Sequence, residues 1–265
     1  MNASGSESGQ SWQSWSDGGD IPLLNSGFAP LTLDATVDRI VERIQAGQRG
    51  YLCTVNVAIL MMMRDDPRLQ RFVENAALVV ADGQPLIWSA RMLRRPLPER
   101  VTGVDLVERL CERAAREGLG VYLLGAKKDV VDTLAAKLRD RYPGLVLAGV
   151  ADGYFGDGES EARARAVAAS GAKILVVAMG VPRQEHFIEE YWDRLGVSFA
   201  IGVGGSFDVL AGLRKRAPEI VQRVGMEWAF RLVQEPRRLW KRYLLTNARF
   251  VSLMSREIVS SLIQR

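Results

Sequence analysis

The sequence predicts an α/β fold, with a Rossmann-like, mostly parallel sheet, helices on both faces, and a basic helical appendage at the C-terminus. From Leu31 to Gly205, short β-rich runs alternate with segments of helical period. This succession is typical of parallel α/β sheets. The β-rich runs are continuously apolar, as in strands that are covered on both faces. Beyond Gly205 the strand pattern ceases, and the remaining chain has helical character.

Six strand patterns and the helices between them can be followed along the chain. The predicted strands are 51–57, 77–81, 121–125, 145–150, 173–180 and 197–205. The predicted helices are 61–76, 84–95, 105–118, 129–142, 160–171 and 183–195. After the last strand we expect a helix over about 218–233. A longer helix then begins at Pro236, since proline is favoured in the first turn, and ends near Ile263.

These elements divide the chain into three segments. Residues 1–20 are rich in serine and glycine and predict a disordered extension. They lack the basic and apolar regions of a signal peptide. Residues 21–216 form the predicted α/β core, and residues 217–265 form the predicted appendage.

The positive charge is concentrated near the C-terminus. The whole chain carries a net charge of +4, and from residue 231 onward eight basic residues stand against two acidic ones. This last part therefore carries +6 and the remainder −2. Such a distribution points to an anionic partner for the appendage.

Composition argues against several classes of protein. The longest apolar run, 55–63, is far shorter than the roughly 18 residues that suggest a transmembrane helix. His186 is the only histidine, and Cys53 and Cys111 are not spaced as zinc ligands. We expect the two cysteines to be reduced thiols in the core of a cytoplasmic protein. No DxD pair is present, so we expect no metal and no other cofactor. Phosphate charge would then be met by Arg, Lys and helix dipoles.

Polar and glycine-rich residues follow several of the predicted strands. In an open parallel sheet, ligands bind in the crevice at the carboxyl ends of the strands, so we expect these residues to converge. The candidates are Thr54, Asn56, Asp82, Gln184, Gly204 and Asp208, with Arg100 in a nearby turn.

Several of these residues have both a functional and a structural interpretation. Asp82 could be a general base whose pKa is raised by burial, or the N-cap of the next helix. Gln184 could bind an anionic or carbonyl-bearing ligand, or belong to a capped helix start. The segment 202–208 could hold a nucleotide or form a close-packed turn, and it lacks the spacing of a dinucleotide loop. Arg100 could bind a phosphate or pair with a neighbouring carboxylate.

Eight sequence blocks between about Leu31 and Phe250 carry a family resemblance. They are TVN (54–56), ADG (81–83), ERVTGVDL (99–106), YLLGAK (122–127), YPGL (142–145), GVPRQE (180–185), GVGGSFDVLAGLRKRAP (202–218) and EWAFRLVQEPRRLWKRYL (227–244). In this order they resemble the WecG/TagA/CpsF family of glycosyltransferases. The resemblance implies metal-independent, inverting transfer of a hexose, of glucose or N-acetylmannosamine type. The donor would be a UDP-sugar and the acceptor an undecaprenyl-pyrophosphate-linked saccharide. The reaction would serve exopolysaccharide or cell-surface polysaccharide synthesis at the inner face of the cell membrane.

The resemblance also implies roles for single residues of the core. Asp82 resembles the proposed base of the family, and Thr54 and Asn56 match polar residues beside it. Gln184 matches a glutamine of the substrate pocket, and Asp208 matches an acid near the nucleotide.

Basic residues of the appendage match a segment that completes the site in the family. We assign Arg231 and Arg237 to catalysis, because the planar fork of arginine suits the charge on a departing phosphate. Arg238 and Arg100 are assigned to substrate binding, as is the backbone of Gly204.

The last helix has an apolar and a basic side. At 100° per residue, its apolar stripe comprises Trp240, Leu244, Val251, Met254, Ile258 and Leu262. The arginines on the opposite side are Arg238, Arg242, Arg249 and Arg256. This pattern is typical of a helix that lies on a membrane surface, and it predicts docking on the anionic inner face. The alternative is that the apolar stripe packs against the core.

The predicted partners are a UDP-hexose, a polyprenyl-pyrophosphate-linked saccharide and the membrane surface; the chain could also form a homo-oligomer. Two other classes remain open at this point. One is a nucleotide-dependent oxidoreductase with a Rossmann-like fold, and the other is a nucleic-acid-binding protein that uses the basic tail. We expect no nucleic acid, because the crevice outside the tail is mostly neutral or acidic.

Overall fold

The computed structural model describes residues 14–16 and 18–263; for residues 157, 238, 239, 241–243 and 262 it describes the backbone only. The strands are β1 (Ile21–Leu23), β2 (Ser26–Phe28), β3 (Gly50–Val55), β4 (Leu78–Ala81), β5 (Val121–Gly125), β6 (Leu147–Ala151), β7 (Ile174–Ala178) and β8 (Phe199–Gly202). The helices of the core are α1 (Leu33–Gln45), α2 (Val57–Met63), α3 (Pro67–Glu74), α4 (Gln84–Met92), α5 (Gly103–Glu117), α6 (Lys128–Arg141), α7 (Ser160–Ala169), α8 (Arg183–Tyr191) and α9 (Ser206–Leu210). The appendage contains α10 (Glu219–Arg223), α11 (Glu227–Gln234) and α12 (Pro236–Ile263).

A six-stranded parallel sheet forms the centre of the core, which confirms the predicted fold class. The strand order is β4-β3-β8-β7-β5-β6, and every adjacent pair is parallel. Successive residues of β3 enter different hydrophobic clusters, since Tyr51 and Cys53 belong to one and Leu52 to the other. Because side chains alternate across a strand, the two clusters lie on opposite faces of the sheet. This explains why the strand sequences are continuously apolar.

The first part of the chain departs from the sequence prediction. Strands β1 and β2 form an antiparallel hairpin that the sequence pattern did not indicate. Trp15, placed by the prediction in a disordered extension, is only 4% exposed. Its backbone N–H donates to the carbonyl of Ala77 over 2.8 Å, and its ring stacks on Phe199. The packed structure therefore begins before residue 21.

Helix α12 spans Pro236–Ile263, as the sequence predicted, and lies along α2 of the core. Phe250 and Met254 are buried at this contact. Two polar contacts also hold α12 on the core: Arg249 pairs with Asp65 over 2.6 Å, and the carboxylate of Glu257 accepts from the backbone N–H of Leu24, directly after β1. The helix predicted over 218–233 is instead divided into α10 and α11, with a glycine of positive φ between them.

The predicted apolar stripe of α12 is shared between the core and the surface. Met254 and Ile258 pack on the core, whereas Leu244 and Val251 are exposed. The side chain of Leu262 lies outside the described residues. Packing against the core, the alternative interpretation, therefore applies to one part of this stripe, and membrane docking by the exposed part stays a prediction. Among the described residues, no helix is long and apolar enough to cross a membrane.

Candidate active site

Two adjoining cavities lie at the carboxyl ends of β3, β4, β7 and β8. The large cavity encloses about 1190 Å³ of empty space, part of it open to solvent, and the small cavity about 650 Å³. The predicted residues that line the large cavity are Thr54, Asn56, Asp82, Gln184, Gly204 and Arg231. Those that line the small cavity are Asn56, Asp82, Arg100 and Arg231. The predicted convergence of these residues therefore occurs.

Asp82 lies at the junction of the two cavities and lines both of them. It directly follows β4, and its backbone N–H donates to the carbonyl of Val55 over 2.8 Å. The N-cap of α4 is Gly83, so Asp82 is not the cap that the structural interpretation required. Desolvation raises the pKa of Asp82 to about 6. A carboxyl group with such a pKa can accept a proton near neutral pH.

The charged groups around Asp82 act on its pKa in both directions. The positive charges of Arg231 and Arg100 lower the pKa, while the negative charges of Glu227 and Asp105 raise it. Desolvation has a larger effect on the pKa than any of these charges, and the net shift is upward. The proton affinity of Asp82 thus depends on residues from both the core and the appendage.

Gln184 connects the two glycine-containing loops that follow β7 and β8. Its Oε1 accepts from the backbone N–H groups of Gly180, over 3.2 Å, and Gly204, over 2.9 Å. The side chain reaches them because Gly202 has no Cβ, which would lie 2.5 Å from Nε2 of the amide. Gln184 is 2% exposed, and its hydrogen bonds fix the positions of the two loops that form one wall of the cavity.

Glu185 lies behind Gln184 and was not identified from the sequence. It is 7% exposed; its Oε1 accepts from Nε2 of Gln184 over 2.8 Å, and its Oε2 has no hydrogen-bond partner among the described residues. Burial raises the pKa of Glu185 to about 7. Its position in the first turn of α8 gave no sign that the side chain is enclosed.

Thr54 and Asn56 flank the end of β3. Thr54 is buried, and its hydroxyl donates to the carbonyl of Gly202 over 3.4 Å. Asn56 is the N-cap of α2, where its Oδ1 accepts from the N–H of Ile59 over 3.1 Å. Both residues line the large cavity. Each also has a structural function, since Thr54 joins β3 to β8 and Asn56 caps the helix that follows β3.

Arg100 and Arg231 are brought together by Glu227, the first residue of α11. Nη1 of Arg100 lies 2.6 Å from one carboxylate oxygen, and Nη2 of Arg231 lies 2.8 Å from the other. Arg100 also donates to Gln222 of α10 over 2.7 Å. The structural interpretation of Arg100, pairing with a carboxylate, therefore applies, and the pairing attaches the appendage to the core.

Two other predicted residues, Arg237 and Asp208, line neither cavity. Arg237 is exposed at the start of α12, and the side chain of Arg238 lies outside the described residues. Asp208 is half-buried in α9, where its carboxylate lies 3.8 Å from Nε of Arg214. The geometry thus gives Arg237 and Asp208 no contact with the cavities, and their assigned roles stay predictions.

The segment 214–216 contributes charge that the sequence analysis did not assign. Arg214, Lys215 and Arg216 all line the large cavity. Arg216 makes two hydrogen bonds to Asp105, of 2.7 and 2.6 Å. In the sequence these three residues belong to the longer block 202–218, where a basic run resembles a solvated surface.

The arrangement combines a carboxyl group of raised pKa with positively charged side chains in a crevice of two cavities. A carboxyl group that opens on two cavities can take a proton from a hydroxyl group held in one of them. Cationic side chains in the other can stabilise negative charge on a departing group. In the described part of the chain, no three His, Cys, Asp or Glu side chains are grouped as metal ligands.

Comparison with known families agrees with this geometry. The model of the glycosyl transferase WecG/TagA/CpsF family matches residues 21–263, a range that includes both the core and the appendage. The match supports sugar transfer from a nucleotide-sugar donor to a saccharide acceptor, and not the oxidoreductase or nucleic-acid-binding alternatives. The chain therefore belongs to the WecG/TagA/CpsF family, the glycosyltransferases of cell-surface polysaccharide synthesis.

Proposed function

We propose that the protein transfers a hexose, of glucose or N-acetylmannosamine type, from a UDP-sugar to an undecaprenyl-pyrophosphate-linked saccharide. The transfer inverts the anomeric centre and needs no metal ion. The observation that carries this proposal is the position of Asp82, which opens on both cavities and has a pKa of about 6. Two substrates could meet at this carboxyl group, one in each cavity.

We assign the donor to the large cavity and the acceptor saccharide to the small one. The large cavity has a wall of glycine loops and several cationic side chains, which suit a nucleoside diphosphate. The small cavity is lined by Trp228 and Pro85, together with Arg100 and Asn247 of α12. An aromatic face beside polar groups suits a sugar ring. Through Asn247, α12 of the appendage also forms part of this cavity.

The proposed reaction is a single displacement. A hydroxyl oxygen of the acceptor forms a bond to the anomeric carbon, while the bond from this carbon to the β-phosphate oxygen of UDP breaks. Asp82 takes the hydroxyl proton as general base, a function that contributes about 10²–10⁴-fold in other enzymes. Arg231 lines both cavities, where it can stabilise the charge that develops on the leaving diphosphate.

The lipid-linked acceptor implies a membrane surface, and α12 offers one means of binding it. Several of its apolar side chains remain exposed, three from the predicted stripe and three beside it: Trp240, Leu244, Val251, Leu245, Val259 and Ile263. We propose that these side chains enter the headgroup region of the inner face while basic residues meet anionic lipid. We also propose that the protein can form a homo-oligomer.

A transfer assay with defined substrates tests the function. The protein is incubated with a panel of UDP-hexoses and short-prenyl pyrophosphate-linked glucose or N-acetylglucosamine, and products are identified by mass. We expect one donor to give a product, and Asp82→Asn to lower kcat by about 10²–10⁴-fold because the base is lost.

The matched control is Asp132→Asn, which removes an exposed carboxylate that pairs with Lys128 on α6. It should leave kcat unchanged. A kcat close to wild type in Asp82→Asn would exclude Asp82 as the base. No product with any donor of the panel would contradict the proposed reaction.

A further inference from the structure

The cationic side chains of the large cavity differ in whether a carboxylate already neutralises them. Three arginines that line this cavity form salt bridges, namely Arg214–Glu235, Arg216–Asp105 and Arg231–Glu227. Lys215, which also lines the cavity, forms no salt bridge with any described residue, and its side chain is exposed. Within the described cavity wall, the uncompensated positive charge is therefore that of Lys215.

The backbone that carries Lys215 is held from several sides. Arg216, the next residue, makes its two hydrogen bonds to Asp105 in the first turn of α5. Arg214, the preceding residue, pairs with Glu235 at the end of α11. The carbonyl of Lys215 itself accepts from the side chain of Gln234 over 3.2 Å. These contacts fix the segment between core and appendage, so the lysine side chain is presented from an anchored backbone.

We propose that Lys215 binds the diphosphate of the sugar-nucleotide donor, an assignment that rests on the glycosyl transfer proposed above. Its ammonium group neutralises the phosphate oxygens in the bound donor. As the bond between the sugar and the β-phosphate breaks, negative charge on the diphosphate increases, and Lys215 stabilises the leaving UDP. This makes Lys215 a catalytic residue as well as a binding residue.

The arginine side chains of the large cavity are less suitable than Lys215 for binding the diphosphate. A phosphate that bound Arg214 or Arg216 through the N–H groups that now meet a carboxylate would displace Glu235 or Asp105. The displaced carboxylate would then lie in a partly buried site without its partner, which is unfavourable. Lys215 displaces no carboxylate of the described residues when it binds an anion. Lysine also binds phosphate well as a point charge, as in nucleotide-binding loops.

The proposal predicts a specific change in nucleotide affinity. Isothermal titration calorimetry at low salt compares wild type and Lys215→Met, each titrated with UDP and with uridine. Loss of a hydrogen bond between charged groups should weaken UDP binding by about 10- to 100-fold. Uridine affinity should not change, because uridine has no phosphate. The difference between UDP and uridine in wild type should also fall as salt is added.

Lys128→Met provides the matched control. Lys128 is an exposed lysine at the start of α6, outside both cavities, so this variant loses the same charge and should bind UDP as wild type does. Lys215→Gln serves as a second variant, and melting temperatures show that each protein is folded. Equal UDP affinity in wild type and both Lys215 variants overturns the assignment. A wild-type protein that binds neither UDP nor inorganic pyrophosphate would instead contradict the proposed donor, and the assignment with it.

Discussion

At the scale of single residues, two carboxyl groups with raised pKa values lie near the crevice and have different access to it. Asp82 opens on both cavities, so it can exchange a proton with a substrate. Glu185 is enclosed behind Gln184, so its proton affects the folded protein and not a ligand. Burial is the main cause of the raised pKa in both cases.

Replacement of Glu185 by glutamine should change how stability depends on pH. The pKa of Glu185 is raised from 4.5 to about 7, so the folded state favours the protonated form. Its stabilising contribution is fully present below pH 4.5 and is lost as pH rises through 7. The loss amounts to roughly 3 kcal/mol at most. Glu185→Gln should lose less stability than wild type between pH 5 and 8 in thermal unfolding.

Glu161→Gln is the control for this measurement, since Glu161 is an exposed residue of α7 that pairs with Arg194 over 3.7 Å. Its unfolding profile should follow that of wild type. Parallel profiles for wild type and Glu185→Gln across this pH range would show that Glu185 does not bind the expected proton.

Some of the important residues were predictable from the sequence and others were not. Asp82 could be identified because an acid directly after a buried strand and before a glycine is an unusual combination. Lys215 could not, because a basic run gives no indication of which side chains find a carboxylate. Glu185 occurs where a helix start is expected to be exposed, and only the tertiary packing of α8 encloses it.

At the scale of elements, the crevice depends on two loops joined by one side chain. The loops after β7 and β8 each contribute a backbone N–H to Oε1 of Gln184. Gly204 adopts a positive φ of 53°, a conformation that glycine reaches without strain. The position of the loop after β8 is therefore linked to that of α8, where Gln184 is located.

Gly202→Ala should disturb this connection. A Cβ at residue 202 would lie 2.5 Å from Nε2 and 2.9 Å from Cδ of Gln184, so the amide must move away from Gly204. We expect a loss of about 1–3 kcal/mol in the free energy of unfolding and a higher KM for the donor. Gly156→Ala is the control, because a Cβ at Gly156 meets nothing within 4 Å. Unchanged stability and KM in Gly202→Ala would contradict the expected contact.

The order of strands and helices could be predicted because hydrophobic period and strand length are local properties. The six parallel strands were all anticipated, with boundaries that shifted by a few residues. The predicted helix over 61–76 is interrupted at Asp66, which caps α3 ahead of Pro67. The hairpin of β1 and β2 was missed, since strands of three residues carry little periodic signal.

At the scale of the whole molecule, the appendage completes the crevice and also extends away from it. Residues of α11, including Glu227 and Arg231, line both cavities, while α12 follows α2 along the core. The helical period predicted α12 correctly, but it could not indicate which side of a wide apolar arc the core covers. That choice depends on the position of α2, which is a tertiary property.

The exposed and buried sides of α12 should respond differently to substitution. Leu244 and Leu245 are 64% and 70% exposed, so replacing both by serine should leave the melting temperature unchanged and reduce binding to anionic vesicles. Met254 is 4% exposed, and Met254→Ala should lower the free energy of unfolding by about 2–5 kcal/mol. Vesicle flotation at low and high salt and thermal unfolding measure the two effects. Vesicle binding by the double serine variant equal to that of wild type would contradict the proposed membrane contact.

The buried Trp15 has a practical consequence for anyone who shortens the chain. The family match begins at residue 21, which makes this position an obvious place to cut. A Cβ on Gly50 would lie 2.7 Å from the Trp15 ring, so the indole occupies the space directly above the first residue of β3. Removing it would leave that backbone and Phe199 without their cover. A cut before Ser14 would shorten the protein and keep the amino-terminal ends of β3 and β8 covered by the indole.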